Sequence, residues 1–297
     1  MPETSVKSWL PLWTVISITW GFSFLFIKVA GEFLDPFQQT FGRLALGAIV
    51  VSLFMVVTKR KFITDKKAIG HLAFLAVIAH AIPFSLVAWA EHYITTIAAS
   101  LINSMLALWV ALFAVWFLPE EKLNRTKFFG LLLGFFGIMI LLGIWDASFR
   151  GSWLAYAAGV LSTVGYAASN IWTRKNITPM KLDPFSATAA QLAIGATIMG
   201  IVSLAVSSKP TSYPISGVAS LILLGVVGTG VAFALNLELI NRAGSVISST
   251  TGYSMPVVAA VAGVVFLREE LNWYEPFGAV IALVGIAITQ GLIKSKR

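Results

Sequence analysis

The sequence predicts an all-α membrane protein of ten transmembrane helices, built as two inverted five-helix repeats in a basket-like arrangement. Three observations predict this class: apolar runs about as long as a bilayer is thick, basic residues confined to alternate joints, and a self-similarity at a fixed shift of 148 residues. Of the 297 residues, 58% are hydrophobic and only 11% are charged. A soluble domain carries about 25% charged residues. A chain this poor in charge cannot cover itself with polar surface, so its solvent is largely lipid. No period-2 alternation punctuated by turns is present, which argues against a transmembrane barrel.

A spanning helix needs about 20 apolar residues, and ten segments approach that length. The first, 10–29, lacks a small-residue cleavage site and reads as a helix rather than a removable signal; Trp20 lies near its middle. The second, 36–57, opens at Asp35-Pro36 and carries Arg43 about 10 Å in by helical rise. The third, 69–90, places His80 near its middle, with Pro83 three residues on. The fourth, 95–118, has Asn103 and Ser104 midway, and the fifth, 128–145, contains Gly130-x-x-x-Gly134. The sixth, 152–172, carries Tyr166, Ser169 and Asn170. The seventh, 184–206, opens at Asp183-Pro184, and the eighth, 215–240, holds Gly225-x-x-Gly228-x-Gly230. The ninth, 246–267, has Tyr253 and Ser254 just before Pro256, and the tenth covers 275–293.

The charges assign sides to these segments. Sixteen of the 21 Lys and Arg fall on alternate joints, from Lys7 and the Lys59–Lys67 cluster to Lys294, Lys296 and Arg297. The intervening joints hold only Arg150, Lys209 and Arg268. This is the positive-inside pattern with both termini in the cytoplasm. The net charge of +8 therefore sets orientation and calls for no nucleic-acid partner.

The two halves, 1–148 and 149–297, match without a gap. Leu34-Asp35-Pro36-Phe37 corresponds to Leu182-Asp183-Pro184-Phe185, and Thr40, Leu44 and Gly47 to Thr188, Leu192 and Gly195. Far downstream Glu121, Leu123, Asn124, Gly130 and Gly137 correspond to Glu269, Leu271, Asn272, Gly278 and Gly285. A duplicated unit with five spans enters the membrane upside down. Inverted repeats of this kind underlie alternating access around a midplane site. The halves differ in their breaks, since Leu108 stands where the second half has Pro256.

Trp20-Gly21, Pro36 with Arg43, Glu121-Lys122-Leu123 followed by Gly130, and Met255-Pro256 followed by Glu269-Glu270-Leu271 and Gly278 together resemble the drug/metabolite transporter superfamily in its ten-helix EamA-type branch. The resemblance covers nearly the whole chain. It implies a basket-like carrier, usually an exporter of amino acids or other metabolites. Within the branch, the midplane aromatics make the chain similar to YddG-type exporters of aromatic amino acids.

Polar and aromatic residues deep in a bilayer are functional candidates by default. Trp20, His80, Asn103, Ser104, Tyr166 and Tyr253 fall at similar depth in both halves and are expected to bind substrate. Packing filler is the competing role for each aromatic, and a neutral imidazole bonded to a neighbouring helix is the competing role for His80. Pro83 and Pro256 remove backbone donors and serve as hinges or static kinks. Arg43 either snorkels, pairs with Glu269 or Glu270, or attracts a substrate carboxylate; a structural or gating charge pair with Glu269 is the favoured role. Lys28 is expected to snorkel, Glu91 and His92 to be solvated, and Glu238 to pair locally with Arg242. Trp9, Trp13, Trp145, Trp153, Trp172 and Trp273 are expected in the interfacial belts.

Enzymatic readings find little support. With no Cys and with three His at 71, 80 and 92, no metal set is convincing, and no cofactor is expected. The glycine clusters of the fifth and eighth spans are expected to be small-residue packing surfaces; the latter follows no strand, so it is not a dinucleotide loop. A channel should show a filter or a ring of charges, and neither is evident. The expected activity is therefore secondary, non-ATP transport of neutral or aromatic amino acids, or related small metabolites, in the cell (inner) membrane. The expected partners are the small-molecule substrate and the bilayer. The oligomeric state is left open, a monomer being admissible.

Overall fold

Helix-starting residues, apolar runs and chain breaks account for where each element begins and ends. The computed structural model describes residues 6–118, 124–141, 145, 153–268 and 273–289, and all regular structure within them is helical. In chain order the long helices are α1 (Val6–Ala30), α2 (Pro36–Val57), α3 (Lys66–Ala90) and α4 (Thr96–Phe117), then α5 (Arg125–Leu141) and α6 (Trp153–Trp172). There follow α7 (Pro184–Val206), α8 (Ile215–Ala243) and α9 (Ser245–Leu267), and finally α10 (Tyr274–Thr289). Each expected span coincides with one of these helices.

Seven of them, α1–α4 and α7–α9, are long and apolar enough to cross a membrane, fewer than the ten crossings expected from sequence. The other three differ for identifiable reasons. Within the described residues α5 and α10 have 17 and 16 residues, short of the roughly 20 that span a bilayer. Helix α6 has 20 residues but intersperses Ser162, Thr163, Ser169 and Asn170 with its apolar ones. The chain is an all-α, multi-pass helical bundle.

The repeated Leu-Asp-Pro-Phe motif starts a helix both times. Asp35 Oδ1 accepts from the amides of Phe37 and Gln38, while Gln38 Oε1 accepts from the Asp35 amide. Asp183 Oδ1 accepts from the Ser186 amide and the carboxylate pairs with Arg60. Each Asp satisfies amides that the first turn leaves free, and the following Pro has no amide to satisfy.

Helices α3 and α8 both widen into a π-turn, at Ala76–Ala81 and Val226–Val231. In α3 the turn lies just before Pro83, which lacks a donor and forces the register to slip. In α8 the Thr229 hydroxyl donates to Leu224 O, five residues back, at 2.8 Å. Helix α4 is interrupted at Ser104–Met105 and α9 at Thr250. The breaks touch: Ser104 Oγ donates to Gly252 O at 2.7 Å, a bond between residues 148 apart. The α9 interruption lies ahead of Pro256, which itself sits inside a continuous helical stretch.

Glycines set the closest helix crossings. A Cβ at Gly137 would collide with Ala282 N and Gly278 O, and one at Gly285 with Gly134 N and Gly130 O. These four contacts exchange under the 148-residue shift, so α5 and α10 meet through matched small-residue faces of the kind that let backbones approach in lipid. Gly47 likewise meets Gly225 O and Gly230 N of α8. The two Gly-rich stretches therefore pack helices, as their composition implies.

Several polar and aromatic side chains lie elsewhere than expected. Lys28 Nζ donates to Glu91 O at 2.5 Å and to Ile94 O at 3.3 Å, carbonyls of the α3–α4 joint. Glu91 is 2% exposed rather than solvated. Trp9 is buried against α8 and α9, and Trp13 Nε1 donates to Thr250 Oγ1. Tight packing of α1 on the second half takes both out of the lipid belt. Trp153 and Trp273 are 74% and 75% exposed. Glu238 accepts from Arg242 Nε at 2.6 Å, the expected local pair.

Candidate functional site

Where the broken and widened helices converge they leave a cavity, with about 100 Å³ open to the centres of water-sized molecules. Its wall comes from both halves: Trp20 and Ser23 on α1, Arg43 on α2, Phe84 on α3, Asn103 on α4, Tyr166 and Asn170 on α6, Thr188 and Gln191 on α7, Phe233 and Asn236 on α8, and Thr251 and Met255 on α9. The mixture is that of a small-molecule site, apolar walls with a few placed polar groups.

Three of the six expected binding residues line this cavity together. The Trp20 indole N–H donates to Gly228 O at 3.0 Å, and its ring lies 5.1 Å from that of Phe233. Asn103 Nδ2 donates to Met255 Sδ at 3.2 Å, tying α4 to α9. Tyr166 presents its ring beside Phe84, with centroids 6.2 Å apart.

The other three lie outside the lining. His80 stands one layer back, its ring 4.6 Å from Phe233 and 5.3 Å from Phe84. Its Nε2 lies 3.3 Å from Gln191 Oε1, within hydrogen-bond reach, and its Nδ1 has no hydrogen-bond partner among the described residues. His80 thus holds two cavity aromatics and Gln191 in place. Ser104 is engaged at the α4–α9 break. Tyr253 points away, its hydroxyl donating to Leu131 O at 3.2 Å and its ring covering Gly134. Pro83 follows the α3 π-turn and its ring abuts Gly165.

Arg43 is 5% exposed and reaches the cavity. Its Nε donates to Thr229 Oγ1 at 3.0 Å, and its Cζ lies 3.6 Å from the centre of the Phe84 ring. The residue 148 positions later is Gln191, which lines the same cavity. Asn103 and Thr251, both lining, form a second such pair. Glu269, the expected partner of Arg43, lies outside the described residues.

Sequence reasoning passed over Phe84, Phe233, Gln191 and Asn236. The last two did leave a signal, as isolated amides in apolar helices. The phenylalanines left none, since apolar side chains in an apolar helix carry no mark of which face they occupy. Among the described residues no cluster of three or more His, Asp or Glu could hold a metal ion.

Comparisons with known proteins agree with this architecture. The chain is 23% identical over 274 residues to an uncharacterized transporter of Archaeoglobus fulgidus, covering 92% of this chain and 93% of that one. It is 26% identical over 278 residues to the uncharacterized transporter YcxC of Bacillus subtilis, at 90% and 87% coverage. Protein PecM of Dickeya dadantii is 23% identical over 266 residues, at 90% and 79% coverage. A solved crystal structure shares the fold with a TM-score of 0.78 over 96% of this chain and 97% of that one, at 18% identity. The EamA-like transporter profile matches twice, at residues 7–143 and 153–290. The chain is therefore a multi-pass membrane transporter, not an enzyme, and it belongs to the EamA-like transporter family.

Proposed function

We propose that this chain is a secondary exporter of neutral amino acids, with larger hydrophobic or aromatic side chains preferred and related small metabolites admitted. It works by alternating access through the cavity between α1, α2, α3, α4, α6, α7, α8 and α9. In this reading residues 1–148 and 149–297 are inverted five-helix repeats giving ten crossings, and both termini face the cytoplasm of the cell (inner) membrane. The observation that carries it is the cavity itself, which gathers flat apolar surfaces (Trp20, Tyr166, Phe84, Phe233) and neutral hydrogen-bonding groups (Asn103, Asn170, Gln191). Aromatic contacts contribute about 0.5–1.5 kcal/mol each beyond burial, enough to bias selection without making it absolute. The bond from Ser104 to Gly252 and the matched glycine contacts of α5 and α10 support a two-fold relation between the halves, with the cavity near the axis, where inverted repeats bind substrate.

The test is transport in proteoliposomes with tryptophan, phenylalanine, methionine, glutamate and a sugar phosphate side by side, with and without a pH gradient. Neutral amino acids should move, and preloaded substrate should accelerate exchange, as a carrier does and a pore does not. Robust movement of glutamate or sugar phosphate with none of the neutral amino acids would defeat the substrate assignment.

A further inference from the structure

The cavity holds one buried cation, Arg43, which makes no salt bridge to a described carboxylate; the buried Glu91 acts on it only through space. Arg43 is withdrawn from water by α2, α3 and α8, and a charge so placed costs several kcal/mol unless it is paired. Its only hydrogen bond among the described residues runs from Nε to Thr229 Oγ1. That hydroxyl already spends its own proton on Leu224 O, so it acts on Arg43 purely as a neutral acceptor. The Phe84 face under the guanidinium contributes up to about 2 kcal/mol when desolvated, which offsets only part of the cost. The terminal amino groups of the fork make no hydrogen bond to a described residue, although a planar fork of this kind is shaped to grip a carboxylate with two parallel bonds.

The opposite wall lacks such a charge. Gln191, 148 residues on, faces the same cavity with a neutral amide whose oxygen is held by His80. Asn170 Nδ2 donates to Tyr166 O, and its buried Oδ1 has no hydrogen-bond partner among the described residues. The lining is therefore polarised, with a cation at one position and neutral acceptors at others.

We infer that Arg43 is the carboxylate-binding residue of the cavity, and that the transported molecule is an organic monoanion or zwitterion anchored there by its carboxylate. This rests on the transport cavity proposed above and makes its substrate class more specific: the α-carboxylate of an amino acid is the recognised group, and the ammonium meets only neutral acceptors. A single cation suits one carboxylate and leaves a second negative charge unanswered.

The experiment measures competition against labelled phenylalanine in proteoliposomes of the full chain, using phenylalaninamide, phenethylamine and 3-phenylpropionate, for the wild type, Arg43→Gln and Arg43→Lys. In the wild type, phenylalanine and 3-phenylpropionate should compete at least roughly tenfold better than phenylalaninamide and phenethylamine, about the worth of one charge-assisted bidentate pair. Arg43→Gln should erase that ratio, and Arg43→Lys, which keeps the charge without the fork, should retain part of it. Thermal stabilisation of the purified chain by the same four compounds gives the same ratio without transport. A purely structural Arg43 would weaken all four compounds alike, so a preserved ratio in Arg43→Gln overturns the inference. Should that variant fail to fold, the wild-type arm still decides, because equal competition by phenylalanine and its amide overturns it as well. Arg43-dependent stabilisation by 3-phenylpropionate with no movement of any amino acid would sustain the carboxylate site and defeat the amino-acid reading instead. Amino-acid transport indifferent to the carboxylate would do the reverse.

Discussion

Residues divide here by what their polar atoms touch. Trp20 is anchored through Gly228 and lies tilted against Phe233, whereas Trp153 and Trp273 stand largely in the open. Replacing Trp20 with Ala removes an aromatic contact and an indole hydrogen bond, together about 1.5–2.5 kcal/mol. Phenylalanine transport should fall by about tenfold or more, with Tyr166→Ala behaving similarly and Trp153→Ala and Trp273→Ala near wild type at matched folded protein. Equal losses for the belt and cavity positions would remove the case for this site. Outside the helices, His92 in the α3–α4 joint is held below the ordinary histidine range, first by partial burial and then by the neighbouring Lys28 cation. The folded chain thus binds a proton there less readily than the unfolded chain. The stability this contributes is complete above the unfolded value of about 6.5 and is lost as pH falls below it. The melting temperature should drop between pH 7.5 and 5.5, and the drop should be smaller in His92→Gln.

Helix contacts are decided by small residues that only the pairing reveals. Gly137 on α5 leaves no room for a Cβ against Ala282 and Gly278, while Gly70 on α3 has nothing within 4 Å of the same position. Gly137→Leu should destabilise the chain by about 1–3 kcal/mol through overpacking, seen as a lower melting temperature and a broadened elution profile. Gly70→Ala should leave both unchanged. Equal tolerance at the two positions would mean that α5 and α10 do not pack in this way. At the α4–α9 crossing, Ser104→Ala leaves the Gly252 carbonyl without its side-chain donor. A loss of about 1 kcal/mol is expected in thermal unfolding, with substrate preference unaltered because Ser104 does not line the cavity.

At the scale of the whole molecule, charge and repeat make one joint statement about orientation. A reporter fused after Arg297 should read as cytoplasmic and one inserted near Asp146 as external, because Lys and Arg concentrate on alternate joints. Reversal at both positions would overturn the orientation and the odd-numbered repeat on which the inverted arrangement depends. The arrangement proposed above accounts for a cavity that draws on helices from both halves. Each half contributes a broken helix, and Asn103 and Thr251, beside the two breaks, both line the space.

The sequence alone determined the helices, their near-boundaries and the family, because a bilayer permits few backbone solutions and requires each span to be long and apolar. The Asp-Pro helix starts, the packing role of the glycine clusters and the Glu238–Arg242 pair were legible for the same reason, being local. Which deep residues share a space was decided only by the tertiary structure. Trp20, Asn103 and Tyr166 meet around the cavity, while His80, Ser104 and Tyr253, at similar depth, do not. Depth follows from position along a span, but the direction a side chain faces follows from the rotation of its helix. In this chain that rotation is set by a π-turn in α3, another in α8, and glycine contacts between segments about 150 residues apart. Arg43 shows the difference most plainly. Its chemistry is written in the sequence, whereas its burial, its bond to Thr229 and its free fork come from α2, α3 and α8 closing around it.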